Sequence, residues 1–215
     1  AQKKIESRNF SMRKNLIEYD DVMNNQRSVV YDRRTQALSG ENIREEVKNI
    51  LNDYLDITMN IDPDNKITNL DIENFQSDIM ETLSIDYKNL SNNVSEPEKI
   101  KEVIFNEADK ILDIKFEIVG QEIFEQFQKF VIFRTIDQKW KEHLHGMDQL
   151  REGINLRAYG QKNPLVEYKQ EGYQMFTEMM IDTNQETLKR IFRSNIAAPD
   201  ENQSRQVPSN VNLSH

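Results

Sequence analysis

The first 39 residues contain neither glycine nor proline, so nothing in them interrupts a helix before Ser39 and Gly40 offer a stop. Side chains recur there in alternating steps of four and three, which predicts one continuous α-helix with a narrow stripe. The stripe consists of Ile5, Asn9, Met12, Leu16, Tyr19, Met23, Gln26 and Val30, with Asn9 and Gln26 as polar interruptions. At 1.5 Å per residue such a helix is roughly 55–60 Å long. A helix this long with so narrow a stripe cannot bury itself and needs partner helices.

The obvious partner lies near the C-terminus, where two amphipathic stretches flank a short link. The first stretch carries Phe133, Ile136, Trp140, Leu144, Met147, Leu150 and Ile154, and the second carries Leu165, Tyr168, Phe176, Met179, Met180, Leu188 and Ile191. Gly160, Asn163 and Pro164 in the link end one helix and allow another to begin. The pattern predicts a helical hairpin whose tip carries Leu156, Arg157, Tyr159 and Lys162. Tyr and Arg are common at interfaces, yet these residues alone favour a contact site and an ordinary loop about equally.

Between these regions the sequence predicts three shorter helices. The first begins at Asn42, which can cap it while Glu45 supplies the reciprocal contact, the second covers 71–83, and the third begins within 95–98. The residues expected to face inward are Ile43, Val47, Ile50, Leu51, Tyr54 and Leu55, then Ile72, Phe75, Ile79, Met80 and Leu83, then Ile100, Ile104, Ala108, Ile111, Ile114 and Ile118. Gly120 either breaks the chain before the hairpin or is carried within one longer helix.

Composition narrows the class of protein. Hydrophobic residues make up 37% and charged residues 30%, which favours extended helices over a large globular core. The net charge is −9, and residues 41–120 alone hold 19 acidic against 8 basic side chains, so nucleic acid is not expected as the main partner. There is no cysteine, which excludes disulfides and thiolate metal sites. The chain opens on Ala1 inside a helical pattern, which favours a piece of a longer protein.

Candidate chemical sites are few. No Gly-rich loop of the phosphate-binding type occurs, so we expect no nucleotide site in these residues. His143 and His145 point about 200° apart on a helix, and Asp20 and Asp21 diverge by about 100°, so neither pair converges on a metal ion. We therefore expect no metal site and no catalytic residue. Trp140, the single tryptophan, is interpreted as packing against the long first helix.

Both ends of the chain resemble a known family. The residues that carry the resemblance are 1–10, 13–14, 16–22, 26–27 and Tyr31, then 137–164, 167–169 and 175–176. They are similar to the helical scaffold and the two-helix finger of the SecA family, the bacterial preprotein translocase ATPases. The match runs in order over residues 1 to about 195, and the acidic middle resembles that family's helical wing. The family's Cys-rich, zinc-binding tail, which recruits the chaperone SecB, has no counterpart in the 215 residues.

The resemblance implies an all-α, elongated fold with four segments. Residues 1–45 would be the spine helix of the scaffold, 46–120 the wing, and 121–195 the two-helix finger. The remaining residues, 196–215, lack periodicity and are expected to be a disordered tail. The scaffold would be held together by Leu16, Tyr19, Trp140, Leu144 and Met147. At the tip of the finger, Leu156, Arg157, Tyr159 and Lys162 would contact the channel and the moving polypeptide.

The resemblance also implies partners and a location. The partners would be the SecY, SecE and SecG channel, an unfolded preprotein, an anionic membrane surface, and the nucleotide-binding and preprotein-crosslinking domains of the longer protein. ATP and Mg²⁺ would be cofactors of those domains and not of this segment, which should be inactive alone. The location would be the cytoplasm and the cytoplasmic face of the bacterial inner membrane. An uncovered spine stripe could also pair two copies as a homodimer. The alternative is a stand-alone helical adaptor that binds partner proteins through its spine.

Overall fold

A computed structural model describes residues 2–39, 42–60, 72–86, 97–157 and 163–195. Over these residues there are six α-helices and no strand, which confirms the all-α prediction. The helices are α1 (Gln2–Ser39), α2 (Ile43–Thr58), α3 (Ile72–Leu83), α4 (Pro97–Val119), α5 (Gln121–Arg157) and α6 (Pro164–Arg193). Helices α5 and α6 pack against each other as the predicted hairpin, and α1 contacts both of them.

Helix α1 is unbroken over 38 residues, which confirms the helix expected from the absence of glycine and proline. Along its described stripe, Tyr19 and Met23 are half-buried, and Gln26 and Val30 are buried. Helix α1 therefore turns the predicted stripe toward the hairpin. None of the helices, as far as the structure describes them, is long and apolar enough to cross a membrane.

Helices α2, α3 and α4 pack on the root of the hairpin, and their buried side chains belong to one apolar cluster. Asn42 caps α2 as predicted, with its side chain accepting a hydrogen bond from the Glu45 amide. Helix α3 is attached to α6 by an ion pair of 2.5 Å between Lys189 Nζ and Glu81 Oε1. The guanidinium of Arg193 donates to the Glu81 carbonyl at 2.9 Å. These helices and the hairpin root thus form a single packed base.

Ion pairs join α2 to α4 along their length. Arg44 lies 2.5 Å from Asp109 and 2.6 Å from Asp113, and Lys48 lies 3.0 Å from Asp109. Partial burial would raise the pKa of Asp109, but hydrogen bonds from Arg44 and Lys48 outweigh it and hold the pKa below its usual value. Some of the acidic charge of residues 41–120 is therefore neutralised by cations within the same segment.

Three of the residues predicted to face inward are exposed, and for them the prediction is wrong. Met80 is 52% exposed, Ile114 56% and Ile118 46%. On α4 the buried residues follow steps of four, and each such step turns about 40° around the helix, so the contact face winds away from Ile114 and Ile118. Leu112 and Val119 take the inward places instead. On α3, Thr82 is buried, and Met80, which points about 200° away from it around the helix, is exposed.

Gly120 separates α4 from α5. Its φ of +82° lies in the left-handed region that glycine adopts without steric cost. Its amide donates to the Phe116 carbonyl at 2.9 Å, and its carbonyl accepts from the Phe124 amide at 3.1 Å. Of the two alternatives that the sequence left open at Gly120, the structure shows the break.

Candidate functional site

The middle of the hairpin meets α1 at a three-helix junction, formed by Val22 and Gln26 of α1, His143 and Met147 of α5, and Gly172 of α6. Gln26 is buried, with 7% of its surface exposed. Its Nε2 donates to the Gly172 carbonyl at 2.9 Å, and its Oε1 lies 2.8 Å from His143 Nε2. Because the amide nitrogen is committed to a carbonyl, the amide oxygen is the acceptor and His143 Nε2 carries the proton. One side chain of α1 therefore holds both arms of the hairpin.

His143 is enclosed by aromatic rings as well as by this hydrogen bond. Its imidazole stacks on Trp140 at 5.5 Å between centroids and meets Phe176 edge-on at 5.6 Å. Burial lowers the pKa of His143 below its usual value, because the charged imidazolium would lose its hydration. A neutral ring with the proton on Nε2 fits both the burial and the hydrogen bond to Gln26.

Two glycines at the junction leave room for methionine side chains of the opposite arm. A methyl group added at Gly172 would lie 2.7 Å from Met147 Cε and 3.8 Å from Val22 Cγ1. On the opposite arm, a methyl group added at Gly146 would lie 2.7 Å from Met175 Cε. Each arm thus inserts a methionine methyl over a glycine of the other. Methionine adapts to such gaps because its unbranched side chain has several rotatable bonds.

A second cluster, which we call the distal cluster, shares Val22 and Met147 with the junction and extends from it toward the residues that link the arms. Its buried members are Met147, Leu150, Ile154 and Tyr168, and Tyr19, Val22, Met23 and Met175 pack against them. The rings of Tyr19 and Tyr168 are 4.7 Å apart and tilted by 56°. Arg151 lies 5.8 Å above the Tyr19 ring and 3.7 Å from the carboxylate of Asp20. The distal half of the hairpin is thus packed on α1 through both arms.

A third attachment joins α1 to the hairpin root. The guanidinium of Arg33 donates to the side-chain oxygen of Asn184, which lies on α6. Burial lowers the pKa of Arg33, while the nearby carboxylates of Glu46 and Asp53 act in the opposite direction. The buried amide of Gln26 and the half-buried guanidinium of Arg33 therefore connect α1 to α6 at the junction and again at the root.

The structure describes some of the predicted site residues and leaves others out. Met147 is 1% exposed, and Trp140, Leu144 and Tyr19 are half-buried. The backbones of Leu16, Leu156 and Arg157 belong to α1 and α5, but their side chains lie outside the described part, as do Tyr159 and Lys162 altogether. The roles proposed for these residues stay predictions.

The hydrogen bonds that hold the junction together were not predicted from the sequence. Gln26 is predicted only as a polar interruption of the stripe, and no contact is predicted for His143 or Gly172. The available signal was a glutamine in a position of the seven-residue repeat that is otherwise apolar, since such a residue commonly fixes the register between helices. Its partners, 117 and 146 residues away, could only be found in three dimensions.

Comparison with known proteins places these features in context. The family model described as SecA Wing and Scaffold domain matches residues 1–195. The protein translocase subunit SecA of Chlorobium phaeovibrioides is 42% identical over 202 residues, covering 94% of this chain and 19% of the relative. That of Chlorobaculum tepidum is 40% identical over 206 residues, covering 94% and 20%. That of Desulforamulus reducens is 36% identical over 218 residues, covering 98% and 24%. The chain spans roughly a fifth of the length of the curated relatives it matches.

Proposed function

This chain belongs to the SecA wing and scaffold family, and we propose that it is the coupling part of a Sec protein translocase. ATP would be hydrolysed by other domains of a longer protein. The segment would convert that hydrolysis into movement of preproteins through the SecYEG channel. Family membership favours this function over the stand-alone adaptor.

The observation that carries the proposal is the packing of the described part of the hairpin on α1. The distal cluster, the junction and the Arg33 contact hold the arms to the spine helix at three levels. A hairpin attached in this way moves with α1 as a body, because close-packed interfaces do not deform continuously. Domains that displace the spine helix would therefore displace the far end of the hairpin.

The residues of that far end have suitable chemistry for a polypeptide of variable sequence. An aromatic ring at Tyr159 offers apolar surface and a hydroxyl, and Arg157 and Lys162 carry charges on flexible stems. Together with Leu156 they would contact the channel and the unfolded chain without requiring a particular sequence. We assign no catalytic role to any residue of this segment.

The proposed domain division is 1–45 for the spine, 46–120 for the wing, 121–195 for the finger and 196–215 for the tail. The boundary at 45 falls within the first turn of α2, and the boundary at 120 coincides with the break at Gly120. The proposed location is the cytoplasmic face of the inner membrane, reached through the channel and anionic lipid. ATP and Mg²⁺ would bind to the other domains, and two copies could pair.

The test uses the full-length protein in membrane vesicles that contain the channel. Tyr159→Ala is compared with Tyr173→Ala, because Tyr173 lies on the shaft of α6 and is 71% exposed. We expect Tyr159→Ala to reduce preprotein transport while basal ATP hydrolysis continues, and Tyr173→Ala to leave both unchanged. Transport by Tyr159→Ala at the wild-type rate would remove Tyr159 from the proposed contact site.

A further inference from the structure

We infer that Gln26 is a positioning residue that sets the register between α1 and the hairpin, so that its loss uncouples transport from ATP hydrolysis. The inference rests on the proposed function and adds to it the group through which the hairpin follows the spine helix. It concerns the junction and none of the residues predicted for the tip.

The hydrogen bonds of Gln26 are possible in one register only. Within the described part of α1, Gln26 is the buried polar side chain, and its neighbours on the stripe are Met23 and Val30. If α1 slid along the hairpin by one helical turn, an apolar side chain would replace the amide. His143 Nε2–H and the Gly172 carbonyl would then both lack a hydrogen-bond partner in a buried place. The hydrogen bonds of Gln26 to His143 and Gly172 therefore disfavour every arrangement in which α1 is displaced along the hairpin.

Apolar packing at the junction cannot supply this selectivity. Beside the Gly172 carbonyl to which Gln26 donates, the apolar contacts are made by the methyl end of Met147 and by Val22. Flexible methionines can repack against a displaced helix at small cost. At the junction, the directional amide is the element that distinguishes one register from the next, and the contact of Arg33 with Asn184 acts in the same sense at the root.

The junction is also placed so that its register matters at the far end of the hairpin. It connects the packed base to the distal cluster, with which it shares Val22 and Met147, and it contains residues of α1, α5 and α6. A change of register here would shift Tyr168 and Leu150 against Tyr19 in the distal cluster. The far end of the hairpin would then no longer follow a given displacement of α1.

The test measures preprotein molecules transported per ATP hydrolysed by the full-length protein. Gln26→Met keeps a similar shape without hydrogen bonds, and Gln36→Met on the exposed surface of α1 is its control. His143→Leu removes the donor, whereas His143→Gln restores an N–H donor toward Gln26. We expect His143→Leu, which removes one hydrogen bond of ordinary net strength, to lower the ratio by about fivefold. Gln26→Met removes two hydrogen bonds and should lower the ratio at least as much. Gln36→Met and His143→Gln should stay near the wild-type ratio.

Two results would overturn the inference. One is a wild-type ratio in Gln26→Met, and the other is a loss in His143→Gln as large as in His143→Leu. The melting temperature of each variant is measured alongside, and if Gln26→Met does not fold, the comparison of the two His143 variants decides. If the wild-type protein itself fails to transport, the proposed function fails. If it transports and the ratios do not change, only the role of Gln26 fails.

Discussion

Replacing Gly120 by alanine tests how the packed base is connected to the hairpin. The residue has a φ of +82°, and a methyl group added to it would meet no atom within 4 Å. The cost is therefore one of backbone conformation alone, about 1–2 kcal/mol for an L-residue in the left-handed region. The smaller entropy of the unfolded alanine chain offsets about 0.4–1 kcal/mol of this. We expect Gly120→Ala to destabilise the chain by about 1 kcal/mol.

Gly153 supplies the matched control. It lies inside α5, and a methyl group added there also meets no atom within 4 Å. Because its backbone is helical, Gly153→Ala should stabilise the chain by about 0.5–1 kcal/mol. Two identical chemical changes should thus shift stability in opposite directions, and the φ angle is the reason.

The assay is thermal unfolding of the chain, followed by the loss of helical circular dichroism. For a protein of this size, 1 kcal/mol corresponds to a shift of about 2–4 °C. Gly120→Ala should melt below the wild type and Gly153→Ala above it. Gly120→Asn should lie between the wild type and Gly120→Ala, since asparagine tolerates the left-handed region better. Equal melting of the two alanine variants would refute the conformational argument.

Three further predictions concern buried or partly buried polar groups. Because burial lowers the pKa of His143 in the folded chain, the unfolded chain takes up the proton first as the pH falls. Stability should therefore decline below about pH 6.5, and denaturant titrations of His143→Gln should show a weaker decline. Asp109→Asn should cost about 1 kcal/mol at pH 7. The pKa of Asp109 is lowered in the folded chain. The difference in stability between Asp109→Asn and the wild type should therefore disappear in acid titrations as the pH falls through this folded-state pKa. Gln128 is 1% exposed, and its Nε2 has no hydrogen-bond partner in the described structure. Gln128→Met should therefore increase the free energy of unfolding by about 1 kcal/mol, which a higher midpoint of urea unfolding would show.

Local patterns predicted the helices well because helix formation depends on neighbouring residues. The absence of glycine and proline before Gly40 predicted α1, and Asn42 and Glu45 predicted the start of α2. The apolar spacing on both sides of the link predicted the hairpin. The buried face of each helix was predicted less reliably. Met80 and Ile114 were expected to face inward and are exposed, because the buried side of a helix depends on which neighbour covers it.

The sequence by itself determined that the chain is helical, where its long helices run, and which family it resembles, since these depend on local periodicity and on matching residues. Only the tertiary structure decided that Gln26 bonds to His143 on one arm and to Gly172 on the other. It also decided that a methionine of each arm packs over a glycine of the other arm. Such contacts join residues more than a hundred positions apart. They depend on how three helices cross, and no local pattern specifies that geometry.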